Sequence, residues 1–392
     1  MKNKTDLRST ISDSQRSQPS VAIVCDWLLG TGGAERVVLE LHRMYPNAPI
    51  YTSQYDRTPS IWYGDKWFSD ADVRTTWLQR LPKSLKKFLP ALRSWTFSHL
   101  DLSQYDLVIS CGGAEAKGVK TGPNTLHVNY CHSPTHYYWR RYDEYLKNPG
   151  FGRLDWVARL GLRTLVGPLR RWDLRAAQRP QLMLANSTHT QSEIKKYYKR
   201  DSIVVHPPVD IDRFKRRKDA PLLRHGFVTS GRQAPYKRHD LAVAACTELK
   251  VPLIVIGTGP EHKKLEKMAG RNVTFLTNVG DEAMAEHFQS ALALIFPSDT
   301  EDFGVTGVEG LAAGTPVITY AQGGPRDYII PGKTGEFFDK LTVKSLVDVL
   351  TNFKSERYKP EVLEAKATEF SPAVFQRNIR TVIADAQKTT QL

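Results

Sequence analysis

Short apolar runs alternate with segments of helical periodicity along nearly the whole chain. Residues 21–25 are apolar throughout and are followed by a glycine-rich stretch at 30–33 and a helical pattern from Ala34 to about Met44. Further runs with strand character lie at 50–52, 106–110, 126–130, 182–186 and 202–206. The pattern restarts at 226–230, with strands at 252–256, 273–276 and 292–296 between helical segments at 238–249, 261–269 and 281–290. Continuously apolar strands alternating with amphipathic helices predict parallel sheets covered on both faces. A chain of 392 residues exceeds one ordinary core. The restart after Pro207-Pro208 and the charged run from Arg213 to Asp219 mark a linker. The expected architecture is α/β, with two doubly wound, Rossmann-like domains at 21–208 and 209–370 and a final helix within 371–392. In open α/β sheets ligands bind outside the carboxyl ends of the strands, so the cleft between the domains is the expected site.

Composition narrows this picture. No apolar run reaches the ~18 residues of a membrane-spanning helix. Residues 1–20 are polar, lack the apolar core of a secretory signal, and are expected to form a disordered tail. Cys25, Cys111, Cys131 and Cys246 are scattered without a Cys-x-x-Cys pair, which predicts core thiols of a cytoplasmic protein rather than a disulfide framework or zinc site. The net charge of +14 calls for an anionic partner. No zinc-finger, RNP-type or KH pattern accompanies it, so nucleic acid is not the expected one.

The densest chemistry lies in Ser298-Asp-Thr-Glu301-Asp302-Phe303-Gly304-Val305-Thr306-Gly307-Val308-Glu309, followed by Gly314-Thr-Pro-Val-Ile318. After the apolar strand it reads as a glycine loop and a helix start. Gly304 permits close backbone approach, and the N–H groups at a helix start favour a diphosphate. The glutamates are eight positions apart, about 12 Å on a helix. That separation suits hydroxyls at the two ends of one nucleotide sugar. Arg232 and Lys237 flank a proline-containing turn after the first strand of the second half and can converge on one anion, Arg as a fork and Lys as a point charge.

These motifs resemble those of the retaining glycosyltransferases of family 4, which have the GT-B fold: Glu, seven residues, Glu, with Phe-Gly inside and Gly-x-Pro-Val after. The likeness covers roughly residues 21 to 390. It implies that Glu309 holds the nucleotide ribose and Glu301 the sugar hydroxyls. Arg232 and Lys237 would bind the diphosphate, helped by the backbone around Phe303, Gly304 and Val305. Gly32-Gly33-Ala34-Glu35 resembles the loop of the first domain that closes over the donor. Glu35 remains open between that role and a first-turn helix charge. Asn129-Tyr-Cys-His132-Ser-Pro134 resembles the motif whose histidine reaches the donor sugar. The chain departs from the family pattern at His136, Gly307, Gly310 and Asp327, where Arg, Pro, Ala and Glu are common. Asp210-Ile-Asp212 has the form of a metal-binding Asp-x-Asp, but it sits in the linker, and the resemblance implies a reaction without metal or other cofactor.

Basic residues gather at Arg74 to Trp95 and at Arg159 to Arg179. In the first segment Trp77, Leu81, Leu85, Phe88, Leu92 and Trp95 recur at helical spacing, with Arg80, Lys83, Lys86, Lys87 and Arg93 between them. This suits an interfacial helix on anionic lipid. A core-facing stripe with a solvated basic face fits the same spacing, and Pro82 and Pro90 argue against one uninterrupted helix. Within the family the chain leans toward bacterial mannosyltransferases of lipid-linked polysaccharide assembly. The expected activity is transfer of a hexose, mannose from GDP-mannose, to a polyprenyl-diphosphate-linked glycan or glycolipid at the inner face of the cytoplasmic membrane. The alternatives are a UDP-sugar donor, a nucleotide-sugar epimerase needing no acceptor, and a non-catalytic lipid or nucleic-acid binder with no affinity for nucleotide sugars.

Overall fold

The structure is a computed structural model that describes residues 19–58, 67–82, 89–147, 149, 152–215 and 224–390. The strands of the first half are β1 (Val21–Cys25), β2 (Ile50–Thr52), β3 (Val73–Thr75), β4 (Leu107–Cys111), β5 (Leu126–Cys131), β6 (Leu182–Ala185) and β7 (Ile203–Val204). They form a parallel sheet in the order β3-β2-β1-β4-β5-β6-β7. The second half contributes β8 (Phe227–Ser230), β9 (Leu253–Ile256), β10 (Val273–Leu276), β11 (Ala293–Phe296), β12 (Val317–Tyr320) and β13 (Gly335–Phe338). They too are parallel, in the order β10-β9-β8-β11-β12-β13. Both sheets thus reverse direction beside their first strand, and the crevice at such a reversal is where doubly wound folds bind ligands. The predicted fold class is borne out.

Helices cover the sheets: α1 (Gly33–Met44), α2 (Pro90–His99), α3 (Tyr142–Lys147), α4 (Asp155–Ala176), α5 (Thr188–Tyr198) and α6 (His239–Leu249). They continue with α7 (His262–Met268), α8 (Asp281–Gln289), α9 (Val305–Ala312), α10 (Val343–Asn352), α11 (Pro360–Thr368) and α12 (Pro372–Thr390). Strands β1 and β4 are buried at every position, as their unbroken apolar runs require. Helix α12 returns to the first domain, where Phe375, Ile379 and Ile383 join the core around β1, β4 and α1. Gln376 on the same helix donates to Glu40 at 2.9 Å.

The basic segment 74–95 is not one helix. It is divided among β3, a 3-10 turn at Trp77–Arg80 and α2. Pro90 is the first residue of α2, where its missing N–H costs nothing. Lys83, Lys86, Lys87 and Phe88 lie outside the described residues, as does most of the tail.

Two buried ion pairs brace the first domain. Asp173 of α4 accepts from Lys117 at 2.6 Å, Trp139 Nε1 at 2.7 Å and the Tyr198 hydroxyl at 3.0 Å, so it ties α4 to α5 and to the segment after β5. Arg93 of α2 donates through Nε to Glu115 at 2.9 Å, and Tyr137 donates to the same carboxylate at 3.0 Å. Arg93 is only 3% exposed. Its expected place on a membrane surface is therefore corrected, because the guanidinium is consumed by a carboxylate inside the protein.

Lys117→Met should destabilise the protein by about 3–5 kcal/mol, because it leaves the Asp173 carboxylate buried without its cation. Urea unfolding followed by circular dichroism measures this; an unchanged midpoint would show that Asp173 does not need the ammonium.

Candidate functional site

The loops that follow β1, β4, β5, β8 and β11 all leave the carboxyl ends of the two sheets and meet between the domains. From β8 the chain enters a turn in which Gly231 has φ +131°. The 3-10 turn Pro235–Lys237 then aims Lys237 at the loop after β11. Lys237 Nζ lies 2.8 Å and 3.2 Å from the two carboxylate oxygens of Glu301 and above the rings of Phe296 and Tyr236. Burial opposes the charge on Lys237, but the Glu301 carboxylate outweighs it and holds the ammonium pKa above its usual value. Arg232 is exposed at the edge of the same turn, within electrostatic reach of Tyr236 and Tyr145.

The loop after β11 is tightly fixed. Asp299 N–H donates to the Tyr236 carbonyl at 2.7 Å. Gly304 has φ +87° and opens α9 without a side-chain cap. A Cβ at Gly304 would lie 2.8 Å from both Phe296 and the Tyr328 hydroxyl, so only glycine fits. Tyr328 also explains one departure from the family pattern: a Cβ at Gly307 would overlap its ring, whereas Leu294 crowds Gly310 at 2.8 Å. One turn into α9, the Glu309 carboxylate makes no hydrogen bond or ion pair among the described residues. Burial raises its carboxyl pKa, and Arg36 and Arg213 nearby pull it down only in part.

The first domain supplies the opposing wall. A Cβ on Gly33 would be 3.6 Å from Val305, so the glycine loop faces the start of α9 directly. Beside it is a cavity of about 190 Å³ lined by Asp26, Glu35, Cys111, His132 and Tyr137 among others. Glu35 is thus both a first-turn residue of α1 and a wall of the site. His132 follows β5, with Nε2 3.2 Å from Cys111 Sγ, and burial pushes its pKa down to about 4. It is an uncharged imidazole at neutral pH. Asp26, which sequence reasoning missed, accepts from the N–H groups of Ala114 at 3.1 Å and Ala116 at 2.7 Å. Its reach depends on Gly112, where a Cβ would collide with the carboxylate.

Polar contacts hold the walls together. Asp302 is 3.1 Å from His136 Nε2 and 2.9 Å from Arg140 Nη2. Burial works against that carboxylate, yet His136 and Arg140 together hold its pKa well below the usual range. Asp327 accepts from Thr188 N–H at 2.9 Å and lies 3.1 Å from His206 Nε2. Arg141 donates to the Asp299 carbonyl at 3.2 Å and lies 4.6 Å above the Tyr236 ring. His189, Glu193 and Asp302 place three possible metal-ligand atoms close together. Arg140 lies among them, 2.6 Å, 3.2 Å and 2.9 Å from the three side chains, so the positive charge there is a guanidinium.

Lys237, Glu301, Gly304, Val305 and Glu309 converge from the second domain, and Gly32, Gly33 and His132 face them from the first. The Phe303 ring is 3% exposed and packs on His206, Tyr328 and Phe370, so what this residue offers the site is its backbone. Trp77 and Arg80 are exposed, and the Trp77 indole donates to Thr96 at 3.0 Å.

Residues 210–370 match the family described as Glycosyl transferases group 1. The chain is 31% identical over 194 residues to the D-inositol 3-phosphate glycosyltransferase of Streptomyces scabiei, covering 41% of this chain and 43% of that one. It is 29% identical over 176 residues to the GDP-Man:Man(3)GlcNAc(2)-PP-Dol alpha-1,2-mannosyltransferase of Xenopus tropicalis, covering 38% and 36%. The chain thus spans less than half the length of either relative. Among solved structures, sucrose-phosphate synthase of Thermosynechococcus elongatus superposes with a TM-score of 0.70 at 14% identity, covering 95% of this chain and 100% of that one. HepE of Anabaena in complex with UDP gives 0.66 at 16%, covering 93% and 100%. These likenesses show the GT-B fold.

The neutral state of His132 can be read directly. In an NMR titration of imidazole-labelled protein, His132 should titrate near pH 4, while an exposed histidine titrates near 6.5. The unfolded chain takes up this proton first, so the His132 contribution to stability is lost as pH falls from about 6.5 toward 4. A midpoint above 6 would contradict the burial argument.

Proposed function

We propose that this protein is a retaining glycosyltransferase that moves a hexose, mannose from GDP-mannose, onto a lipid-linked glycan or glycolipid at a membrane surface. The observation that carries the reading is the Lys237–Glu301 pair at the mouth between the glycine loop and the start of α9. A cation and a carboxylate held 2.8 Å apart satisfy one another until a substrate separates them. A diphosphate then takes Lys237 and Arg232, while sugar hydroxyls take Glu301. The N-terminal end of α9 supports the diphosphate. Glu309, whose carboxylate has no hydrogen-bonding partner among the described residues, accepts from the ribose hydroxyls. The neutral His132 and the backbone of Gly32 and Gly33 position the sugar from the opposite wall.

Transfer then proceeds on one face of the sugar. The bond from the anomeric carbon to the departing phosphate oxygen breaks, the acceptor oxygen bonds to that carbon, and its proton passes to the departing phosphate. Lys237 and Arg232 offset the charge that develops on the leaving diphosphate, so the reaction needs no metal. The relative from Xenopus tropicalis, a GDP-mannose enzyme by name, supports the donor and the lipid-linked acceptor. The D-inositol 3-phosphate glycosyltransferases support a second acceptor class, a phosphorylated polyol. No described helix is long and apolar enough to cross a membrane, and the reading places the protein peripherally at the inner face of the cytoplasmic membrane.

Calorimetric titration with GDP-mannose, GDP, UDP-glucose, UDP-N-acetylglucosamine and UDP tests the donor. GDP-mannose and GDP should bind selectively, and Glu309→Ala should weaken both at least tenfold. Lys237→Ala and Arg232→Ala should each lower turnover by about 10²–10³, with or without added chelator. Selective binding of UDP sugars would overturn the donor, and binding of no nucleotide would overturn the activity.

A further inference from the structure

Helix α4 leaves an apolar face in solvent: Trp156 is 65% exposed and Leu160 57%. Behind that face lies a cavity of about 420 Å³, walled by Val157, Gly161 and Leu165 of α4, by Pro90 and Ala91 of α2, and by Tyr145. A volume of that size takes a small molecule or a stretch of chain. The charged residue in its lining, Arg93, is already paired with Glu115. The cavity is therefore apolar in effect. It shares Trp27 and Tyr137 with the smaller cavity that holds Glu35 and His132, so the two are neighbours. Tyr145 in its wall donates its backbone N–H to the Arg141 carbonyl at 3.0 Å, so Arg141 lies one helical turn away. On the outer surface of α4, Arg163, Arg171 and Arg175 are exposed. An apolar cavity thus lies between a greasy, arginine-bearing helix face and Tyr145, one turn from Arg141, which reaches the Asp299 carbonyl of the second domain.

That sequence of surfaces matches one kind of molecule: an aliphatic chain carrying an anionic head. We propose that the cavity under α4 binds the aliphatic chain of a membrane-borne acceptor, whose phosphate lies toward Arg141. This rests on the transferase reading above for the role of the bound molecule, but not for the binding itself. The exposed Trp156 and Leu160 enter the lipid surface, and the arginines of α4 meet its anionic head groups. The chain then passes from lipid into protein without crossing water.

The test uses the full-length protein and alkyl phosphates of six, eight and ten carbons, below their micellar concentrations, against inorganic phosphate. Affinity should rise about fourfold per added methylene, the increment expected for burial of each CH₂. Gly161→Phe fills the cavity, since nothing lies within 4 Å of a Cβ at that position. It should flatten the chain-length dependence and weaken decyl phosphate at least tenfold, while GDP or UDP binding stays as in the wild type. Leu165→Ser, which makes the same wall polar, should weaken decyl phosphate too and guards against misfolding of the first variant. Trp156→Ser, outside the cavity, should leave the chain-length dependence intact. Affinity independent of chain length, or wild-type binding of decyl phosphate by Gly161→Phe, would overturn the proposal. So would self-association that Gly161→Phe abolishes without a chain-length effect, which assigns the face to a second copy. Loss of all nucleotide binding with the chain-length dependence intact would instead sink the transferase reading and leave the cavity assignment standing.

Discussion

The Asp302 carboxylate is the contact on which the arrangement of the site depends. It belongs to the second domain, and its partners, His136 and Arg140, belong to the first. A half-buried carboxylate at a domain boundary costs free energy unless its charge is met, and here two side chains of the first domain meet it. The consequences extend to its neighbours in sequence. Glu301 on one side is turned toward Lys237, and Phe303 on the other is driven into the aromatic cluster with His206, Tyr328 and Phe370. Gly304 then follows at φ +87° and sets the first N–H groups of α9 toward the glycine loop. The clamp on Asp302 thus sits among three neighbours, Glu301, Phe303 and Gly304, with different tasks.

This explains why the departures from the family pattern do not disturb the site. His136 stands where arginine is common, and it serves the clamp on Asp302. Asp327 stands where glutamate is common, and it caps the start of α5 while holding His206. Each substituted residue is used between the domains. Gly307 follows from the same packing, because the Tyr328 ring occupies the space a side chain would need, and the Tyr328 hydroxyl donates to the Gly304 carbonyl at 2.8 Å.

The strands buried on both faces were legible because their apolar runs are unbroken: β1, β4, β5, β8, β9 and β11 all lie close to their expected positions. The edges were not. Strand β3 is Val-Arg-Thr at the sheet margin, where one side is solvated and no apolar run is required. Strand β13 begins with glycine and glutamate, and its glycine is dictated by the nearby Val317 backbone. Helix α4 was read only as a basic stretch, because its apolar residues point both into the core and into solvent and so blur the period. Within the site, residues carried by a local motif were found. Asp26 and Arg140 were missed because their partners lie 88 and 162 positions away, and nothing in the local sequence announces such a pairing.

The buried pairs also change what the net charge of +14 means. Arg93, Lys117, Arg140 and Lys237 are each matched by a carboxylate inside the protein or between its domains. They are structural or site charges and contribute little to any long-range attraction. The excess that reaches solvent is carried by residues such as Arg80, Arg163, Arg171 and Arg175 on the first domain. A positive surface next to exposed Trp77, Trp95, Trp156 and Leu160 is a different object from a positive surface alone. Charge draws a protein toward an anionic surface over about a Debye length, but only apolar side chains hold it there once the counterions are displaced. The first domain presents both kinds of group, and the second domain presents the Lys237 turn and the start of α9. Asp302, held by His136 and Arg140, joins the first domain to the second beside the Lys237–Glu301 pair.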